Sequence, residues 1–377
     1  MSKFGFSFIS FLLILNGICF SQAKVEWEKK YGEKDFRYFS NSIIQTRDSG
    51  YILIGGRSKS LLNNEMLVVK LSPNGDLVWE KTYGIYSSTR GNSIIQLKDG
   101  GYALTGFKRL KNRGDFIWLI KTDSLGNILW EKTFGNGLWN EGMVLKTNQA
   151  GEIILGGVMT STIYKTQNVF LAKFNSDGTE IWKKLYERNN FEIVEDINID
   201  EDGTIYATGL EKIKNYKPFL KKINEFGEIT DEFSYNYSKS SLRAYGLLTS
   251  DNLFFMLGDK LDQKRDFLLL KMNLDGRVIS TYTIGTKKED FPFGLVELSS
   301  DKFILVGSSN SGRNGGVDGW VVAMDRSGKK LWDIFLGGKK NDGILSIAKT
   351  NDNGFVVSGY TNSGCVGTQD LWIVKLK

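Results

Sequence analysis

One pattern recurs along the whole chain and limits what the chain can fold into. An apolar strand-like run ends in lysine, a tight turn with glycine follows, and a second run carries tryptophan, as in residues 69–84. A period near 50 residues made of short strand-like segments is typical of β-propeller blades. We therefore predict seven blades after residue 23. The anchoring positions, at spacings of 51, 52, 48, 50, 52 and 52 residues, are Lys70, Lys121, Lys173, Lys221, Lys271, Ala323 and Lys375.

Each repeat divides into four strand-like runs. In the second repeat they span residues 93–97, 102–107, 116–122 and 128–134. Tight turns with glycine join the first run to the second and the third to the fourth, where the backbone needs a positive φ. The third run is apolar on both faces, which suits a strand enclosed between neighbouring blades.

The two ends of the chain predict how the ring closes. The seventh repeat stops after a third-type run at residues 371–376, and residues 25–32 form a fourth-type run with no repeat before it. The N-terminal strand should complete the last blade, because closure removes exposed sheet edges. The predicted fold is all-β: one seven-bladed β-propeller of four-stranded blades, forming a single domain over residues 24–377.

Tryptophan recurs four residues after the turn glycine, and we expect each ring to pack against the adjacent blade. Asp231 and Ser280 stand at this place in the fourth and fifth repeats. The tryptophans are Trp27, Trp79, Trp130, Trp182 and Trp332.

The stretch from Lys121 to Trp130 resembles the tryptophan-docking blades of quinoprotein-like propellers. The longer pattern, from Gly-Gly-Tyr to Tyr-Gly, is similar to the uncharacterised secreted propellers common in Bacteroidetes. The resemblance covers residues 24–377 and implies the fold. Quinoprotein enzymes use a Ca²⁺-held quinone, a catalytic aspartate and a vicinal disulfide. Since the sequence has no Cys-Cys pair, that activity is not carried over.

Composition excludes several classes of site. The chain has no histidine, which removes imidazole metal sites and the histidine-dependent nucleophile pairs. Its only cysteines are Cys19 and Cys365, so zinc sites built on cysteine and disulfide frameworks are also excluded. The net charge of +6 is spread over 49 basic and 43 acidic residues, which argues against nucleic-acid binding. We expect no cofactor, no metal and a monomer.

The first 23 residues read as a secretory signal peptide. Lys3 precedes an apolar run, and Ser21-Gln22-Ala23 forms a small-x-small cleavage site. The apolar run is short for a membrane span, so we expect no stable span. The predicted location is secreted or periplasmic, with cleavage after Ala23. Cys365 is then a lone thiol, which we expect in a loop or the core.

A recognition surface is predicted at one end of the ring. One end should carry only tight turns, while the other carries longer second-to-third-strand loops, such as residues 108–114 and 212–217, and the crossovers between blades. Aromatic side chains on polar loops of a rigid scaffold suit the recognition of a protein, peptide or glycan by a non-enzymatic module. The candidate binding residues are Phe36, Tyr86, Trp139, Phe191, Tyr237 and Phe291.

The alternative is a glycosidase or lyase that uses carboxylates at the same end. Such an enzyme needs two carboxylates at a defined separation, and the candidates are Asp35, Glu141, Asp290 and Asp342. A second set of polar residues precedes most third strands, where we expect each to bind its own loop rather than a cation. That set is Glu65, Asp115, Asn168, Asp266, Asp318 and Asp370.

Overall fold

The computed structural model describes residues 22–59, 64–84, 88–236, 244–261, 263–312 and 315–377. Every regular element in these segments is a β-strand, and none of their residues forms a helix long and apolar enough to cross a membrane. The strands are β1 (Val25–Tyr31), β2 (Arg37–Gln45), β3 (Tyr51–Ser58), β4 (Asn64–Leu71), β5 (Leu77–Tyr83), β6 (Thr89–Gln96), β7 (Tyr102–Leu110), β8 (Gly114–Thr122), β9 (Ile128–Phe134), β10 (Glu141–Thr147), β11 (Ile153–Thr160), β12 (Gln167–Phe174), β13 (Glu180–Leu185), β14 (Phe191–Ile199), β15 (Ile205–Lys212), β16 (Tyr216–Ile223), β17 (Ile229–Ser234), β18 (Ala244–Ser250), β19 (Leu253–Leu261), β20 (Arg265–Asn273), β21 (Val278–Ile284), β22 (Asp290–Ser299), β23 (Lys302–Ser309), β24 (Asp318–Asp325), β25 (Lys330–Leu336), β26 (Asp342–Lys349), β27 (Phe355–Thr361) and β28 (Asp370–Leu376).

The strands form seven four-stranded antiparallel sheets, which confirms the seven-bladed all-β propeller. Six blades follow chain order, from β2-β3-β4-β5 in blade 1 to β22-β23-β24-β25 in blade 6. Blade 7 has the order β1-β28-β27-β26, with Lys29 opposite Ile373. The N-terminal strand therefore closes the ring as its sequence predicts.

The recurring tryptophans join each blade to the next. The Trp79 ring of blade 1 lies over Gly126 in the turn of blade 2, where an added Cβ would come within 3.0 Å of the ring. Trp130 covers Gly178 and Trp182 covers Gly227 in the same way. Trp27 covers Gly75, so the closing strand makes the same contact with blade 1. Blade-to-blade packing is thus the role of these rings.

Two repeats that lack the tryptophan keep the contact with another residue. Phe233 in blade 4 covers Gly276, and Tyr282 in blade 5 covers Gly328. Both stand two positions after Asp231 and Ser280, on the same face of their strands, because side chains alternate along a strand. The sequence analysis did not detect this replacement because it compared the repeats only at the tryptophan position, two residues earlier.

Tyrosines at the ends of the outer strands bind the same turn glycines. The Tyr83 hydroxyl donates to the Gly126 carbonyl at 2.7 Å, and Tyr186 donates to Gly227 at 2.9 Å. Burial raises the pKa of the Tyr83 hydroxyl, which keeps it protonated as a donor. Ring packing and hydrogen bond together fix the position of one blade on the next.

The lysine anchor of the fourth repeat needs a correction. Lys70 pairs with Trp79 and Lys121 with Trp130, while in blade 4 it is Lys222 that pairs with Asp231. Lys222 is therefore the equivalent residue, and Lys221 occupies a position that is apolar in the other repeats. Lys221 is completely buried.

Every innermost strand contains a β-bulge at the same place. The register shifts between Ser40 and Ser42 in β2, and between Gly91 and Ser93 in β6. A glycine on the second strand faces the residue before each bulge. At Gly106, an added Cβ would lie 1.8 Å from the Arg90 carbonyl oxygen. The glycines, one per blade, are Gly55, Gly106, Gly157, Gly209, Gly258, Gly307 and Gly359.

Substituting Gly106 with alanine should lower the free energy of unfolding by about 2–3 kcal/mol, because the new methyl group meets backbone that cannot move without breaking the bulge. The matched control is Gly246→Ala, where a Cβ would lie 3.9 Å from the nearest atom, on Leu295. That variant should change stability by less than about 1 kcal/mol. Urea unfolding measures both, and equal effects would contradict the assigned clash.

Candidate binding face and central channel

We call the end of the ring where the first and third strands of each blade begin the long-loop face. Some connections on this face are shorter than the sequence predicts. In blade 2, β7 extends to Leu110 and β8 begins at Gly114. The predicted loops at residues 108–114 and 212–217 are in fact short turns of residues 111–113 and 213–215. Blades 3, 6 and 7 have longer connections between the second and third strands, at residues 161–166, 310–317 and 362–369.

The described aromatic candidates all lie on this face but do not form one cluster. Phe36 is half-buried beneath Arg57 and Lys59, at 5.3 and 4.8 Å from its ring centroid. Phe191 packs edge-on against Tyr216 at 6.2 Å. Such contacts hold rings against their own blades.

Among the remaining candidates, Phe291 is half-buried beneath Arg265, 4.9 Å from its ring centroid. Trp139 is 39% exposed, and its indole N–H donates to the Glu141 carboxylate at 3.3 Å. Tyr86 and Tyr237 lie outside the described residues. Of the four described rings, Trp139 is the one most available to a partner.

Trp139 is one of four exposed apolar residues carried by two loops at blade 3, and the sequence analysis did not single out the other three. Leu138, Ile163 and Tyr164 are 46%, 68% and 44% exposed. The two loops that carry these residues are tied together, because the Thr160 hydroxyl donates to the Trp139 carbonyl at 2.8 Å. We call Leu138, Trp139, Ile163 and Tyr164 the blade-3 patch.

Many other exposed apolar residues follow the repeat, whereas Ile213 and Val366 are exposed in the long-loop-face connections of blades 4 and 7. The outer strands begin with pairs such as Leu77-Val78 and Ile128-Leu129, which are exposed in successive blades. A feature that recurs in several blades belongs to the repeat architecture. The blade-3 patch occupies connections whose sequence is particular to that blade, as a single binding site requires.

The carboxylates of the enzyme alternative do not meet in a pocket. Asp290 and Asp342 are fully buried, and each accepts hydrogen bonds from its own loop, at 2.6 Å from the Thr286 N–H and 2.7 Å from the Gly338 N–H. Glu141 is buried and accepts from Arg90 at 2.6 Å. In the part of the chain that the structure describes, none of the four lines the cavities of about 440 and 410 Å³. Their geometry fits loop anchoring.

Asp370 and Asp115, of the polar set before the third strands, bind residues on their own side of the blade, whereas Asn168 binds the next crossover, donating to the Arg188 and Asn190 carbonyls at 3.2 and 2.9 Å. Asp370 accepts from the Val366 and Gly367 N–H groups at 2.7 and 3.0 Å. Asp115 pairs with Arg109 at 2.6 Å. Each contact fixes the loop that leads into its strand. Cys365 lies in such a loop, where its thiol donates to the Gly367 carbonyl at 3.2 Å.

The bulged residues project into a central channel of about 440 Å³. The channel has two chemically different sides. Asn41 donates to the Gly91 carbonyl at 2.9 Å, and Asn92 donates to Gly142 at 2.9 Å, so amides link successive blades on one side. Tyr245 and Phe293 contact edge-to-face at 5.7 Å on the other. The bulged residues that line the channel, one from each blade, are Asn41, Asn92, Met143, Glu195, Tyr245, Phe293 and Leu345.

Blade 4 contains a buried charge cluster around Lys221. Its ammonium donates to Glu192 at 3.3 Å and also to Glu232, and Arg188 pairs with Glu232 at 2.5 Å. Oxygens of Glu192, Glu211 and Glu232 lie within 4.8 Å of one another, a spacing that could hold a metal ion. The Lys221 ammonium, however, already supplies a positive charge to two of them.

The electrostatics of this cluster differ between its two main carboxylates. Burial raises the pKa of Glu192, although Lys221 and Arg188 act to lower it. Burial also acts to raise the pKa of Glu232, but the hydrogen bonds and charges of Lys221 and Arg188 together outweigh it, so the pKa of Glu232 is lowered. Lys221 is therefore the residue on which the ionised state of the cluster depends.

Comparison with known proteins supports the fold and leaves the activity open. No family model matches the chain, and no curated protein matches its sequence. The structure is similar to that of Sqt1 from Chaetomium thermophilum, with a TM-score of 0.50, 10% identity, and coverage of 87% of this chain and 82% of Sqt1. In all, 348 chains of solved structures are similar. A fold so widely shared does not by itself decide function.

Proposed function

We propose that the protein is an exported, non-enzymatic binding module that docks a protein or peptide on its long-loop face. The observation that carries the proposal is the blade-3 patch, four large apolar side chains exposed on two hydrogen-bonded loops. Soluble proteins seldom expose such patches without a partner. The aliphatic members Leu138 and Ile163 favour a protein surface over a glycan, because interface cores are apolar and water-excluding.

Export belongs to the same proposal. Residues 1–21, which include the apolar segment, lie outside the described residues, and β1 begins at Val25. Cleavage after Ala23 would therefore leave intact all 28 strands of the described residues. The module would act in the periplasm or outside the cell as a monomer, without cofactor or metal.

The test is a measured affinity. The wild-type protein is used to capture partners from the envelope and medium of the producing organism, and the purified partner is then titrated by calorimetry. Changing Trp139→Ala together with Ile163→Ser should weaken binding by about tenfold or more, as truncation of central interface residues does. Circular dichroism checks that the variant remains folded.

The matched control lies on the opposite end of the ring. Leu125 and Phe226 are 62% and 65% exposed at tight turns, and changing both to serine should leave the affinity within about twofold. Equal losses in the two double variants would contradict the proposed face. A captured partner that binds the Trp139 and Ile163 variant at wild-type strength would also contradict it.

A further inference from the structure

A second cavity, of about 410 Å³, lies on the long-loop face where blade 7 meets blade 1. Arg37 and Phe39 of β2 form one side, and Tyr360 of β27 contributes the other. Leu345 lines this cavity and the central channel alike, so the two are adjacent. A cavity of this size admits one or two amino-acid residues rather than a folded domain.

The arginine of this cavity lacks an acidic partner. Arg37 is exposed, and among the described residues no carboxylate oxygen lies within 4.0 Å of its guanidinium. It donates instead to the neutral Gln369 amide oxygen at 3.4 Å. Five other arginines of this face are paired with carboxylates, namely Arg57, Arg90, Arg109, Arg188 and Arg265. Arg113, on the same face, lies over the Phe116 ring instead.

Side-chain amides of Gln369, Asn341 and Asn362 also line the cavity. Both ends of the Gln369 amide are hydrogen-bonded: its NH₂ group donates to the Tyr38 carbonyl at 3.1 Å, and its oxygen accepts from Arg37 at 3.4 Å. The Asn341 oxygen accepts from the Val317 N–H at 3.0 Å, which leaves its NH₂ group without an acceptor among the described residues. The Tyr360 hydroxyl and the Asn341 NH₂ group are donors beside a positive charge. Asn362, whose NH₂ group donates to the Thr368 carbonyl at 2.8 Å, adds an acceptor oxygen to the same cavity.

Asp342, the carboxylate that acts on Tyr360, is occupied by its own loop. Asp342 is fully buried and accepts from the Gly338 N–H at 2.7 Å and the Ser363 hydroxyl at 2.8 Å. Burial raises the pKa of Tyr360, Asp342 raises it further, and Arg37 acts in the opposite direction. The Tyr360 hydroxyl therefore stays protonated, as a donor to an anion requires.

We propose that the cavity between Arg37 and Tyr360 binds a carboxylate of the docked peptide, with Phe39 and Leu345 covering the apolar part of that residue. Guanidinium and carboxylate match in charge and in planar geometry, and hydrogen bonds between charged groups are stronger than neutral ones. The carboxylate comes from an acidic side chain or from a peptide C-terminus. This inference rests on the proposed docking of a peptide on the same face.

The experiment titrates defined probes into the full protein and follows the arginine Nε–H signals by NMR. The first probe is acetyl-Ala-Glu-Phe-amide, the second carries glutamine in place of glutamate, and the third is acetyl-Ala-Ala-Phe with a free C-terminus. Glucuronic acid is the sugar-acid arm. We expect saturable shifts of Arg37 with the first or third probe, and at least about tenfold weaker binding of the neutral second probe.

The substitution Arg37→Gln should weaken binding of the tighter acidic peptide by about tenfold or more. Arg113→Gln is the matched control, because Arg113 is also exposed on this face and lies over Phe116 at 5.7 Å, and it should stay within about twofold. The relative strength of the first and third probes decides between side chain and C-terminus as the source.

Three results would overturn the inference. They are the absence of saturable Arg37 shifts with any peptide, a glutamine probe that binds as tightly as the tighter of the two acidic peptides, and glucuronic acid that binds more tightly than both acidic peptides. The proposed function is judged separately, through the blade-3 patch. A partner that requires Trp139 but binds Arg37→Gln normally would preserve the docking face and reject the carboxylate pocket.

Discussion

Replacing Lys221 with alanine should lower the free energy of unfolding by about 3–5 kcal/mol, one of the largest effects expected from a single substitution in this protein. The cause is the charge left behind. Glu192 and Lys221 are both fully buried, so removal of the ammonium leaves a carboxylate with little access to water. Urea unfolding at neutral pH measures the loss.

The pH dependence separates this cause from a simple cavity. In the variant, burial still raises the pKa of Glu192 and less positive charge opposes it, so the folded state binds the proton more tightly than the unfolded state. Stability conferred by such a group rises as the pH falls. The deficit relative to wild type should therefore be smaller at about pH 5 than at about pH 7.5. A deficit independent of pH would indicate packing loss alone.

The compensating variant is Lys221→Leu combined with Glu192→Leu. Replacing a buried ion pair with apolar residues is often neutral, and Glu232 would retain Arg188 at 2.5 Å. We expect the double variant to recover most of the lost stability. If it is as unstable as Lys221→Ala, the cluster contributes through more than the pairing of these two charges.

The fold was predictable because it depends on repeated local patterns. Turn glycines, strand alternation and the strand-type mismatch at the two ends are each visible in the sequence, and together they predict seven blades and the closing strand. The same repetition explains one error. Lys221 and Lys222 are adjacent, and only the pairing of Lys222 with Asp231 shows which of them follows the repeat.

The binding face was less predictable, because exposure depends on packing between loops. Phe36, Phe191 and Phe291 are aromatic and lie in or beside crossovers, yet cationic side chains or another ring lie against them. Leu138 and Ile163 have no motif, and their exposure arises from two loops joined through Thr160. The glycines opposite the bulges did carry a signal, since one recurs in every repeat, at Gly106 and its equivalents.

Removing the closing strand β1 should prevent formation of a stable ring. A variant beginning at residue 32 loses six paired positions with β28, the Trp27 ring over Gly75, and the Tyr31 hydrogen bond to the Gly75 carbonyl. Loss of a packed tryptophan alone costs about 3–5 kcal/mol, and domains of this kind are stable by only about 5–15 kcal/mol. We expect loss of the cooperative thermal transition and self-association through the newly exposed edge of β28.

Addition of a peptide spanning residues 22–33 should restore the cooperative transition, because an extended peptide can add to an exposed sheet edge with the register of the missing strand. The control peptide carries Trp27→Ala and Tyr31→Phe, which keep the backbone pairing but remove both contacts with Gly75. It should restore the transition only at higher concentration. If the shortened protein melts like the full chain without peptide, closure by β1 does not govern stability; if both peptides act equally, the contact with blade 1 adds nothing beyond backbone pairing.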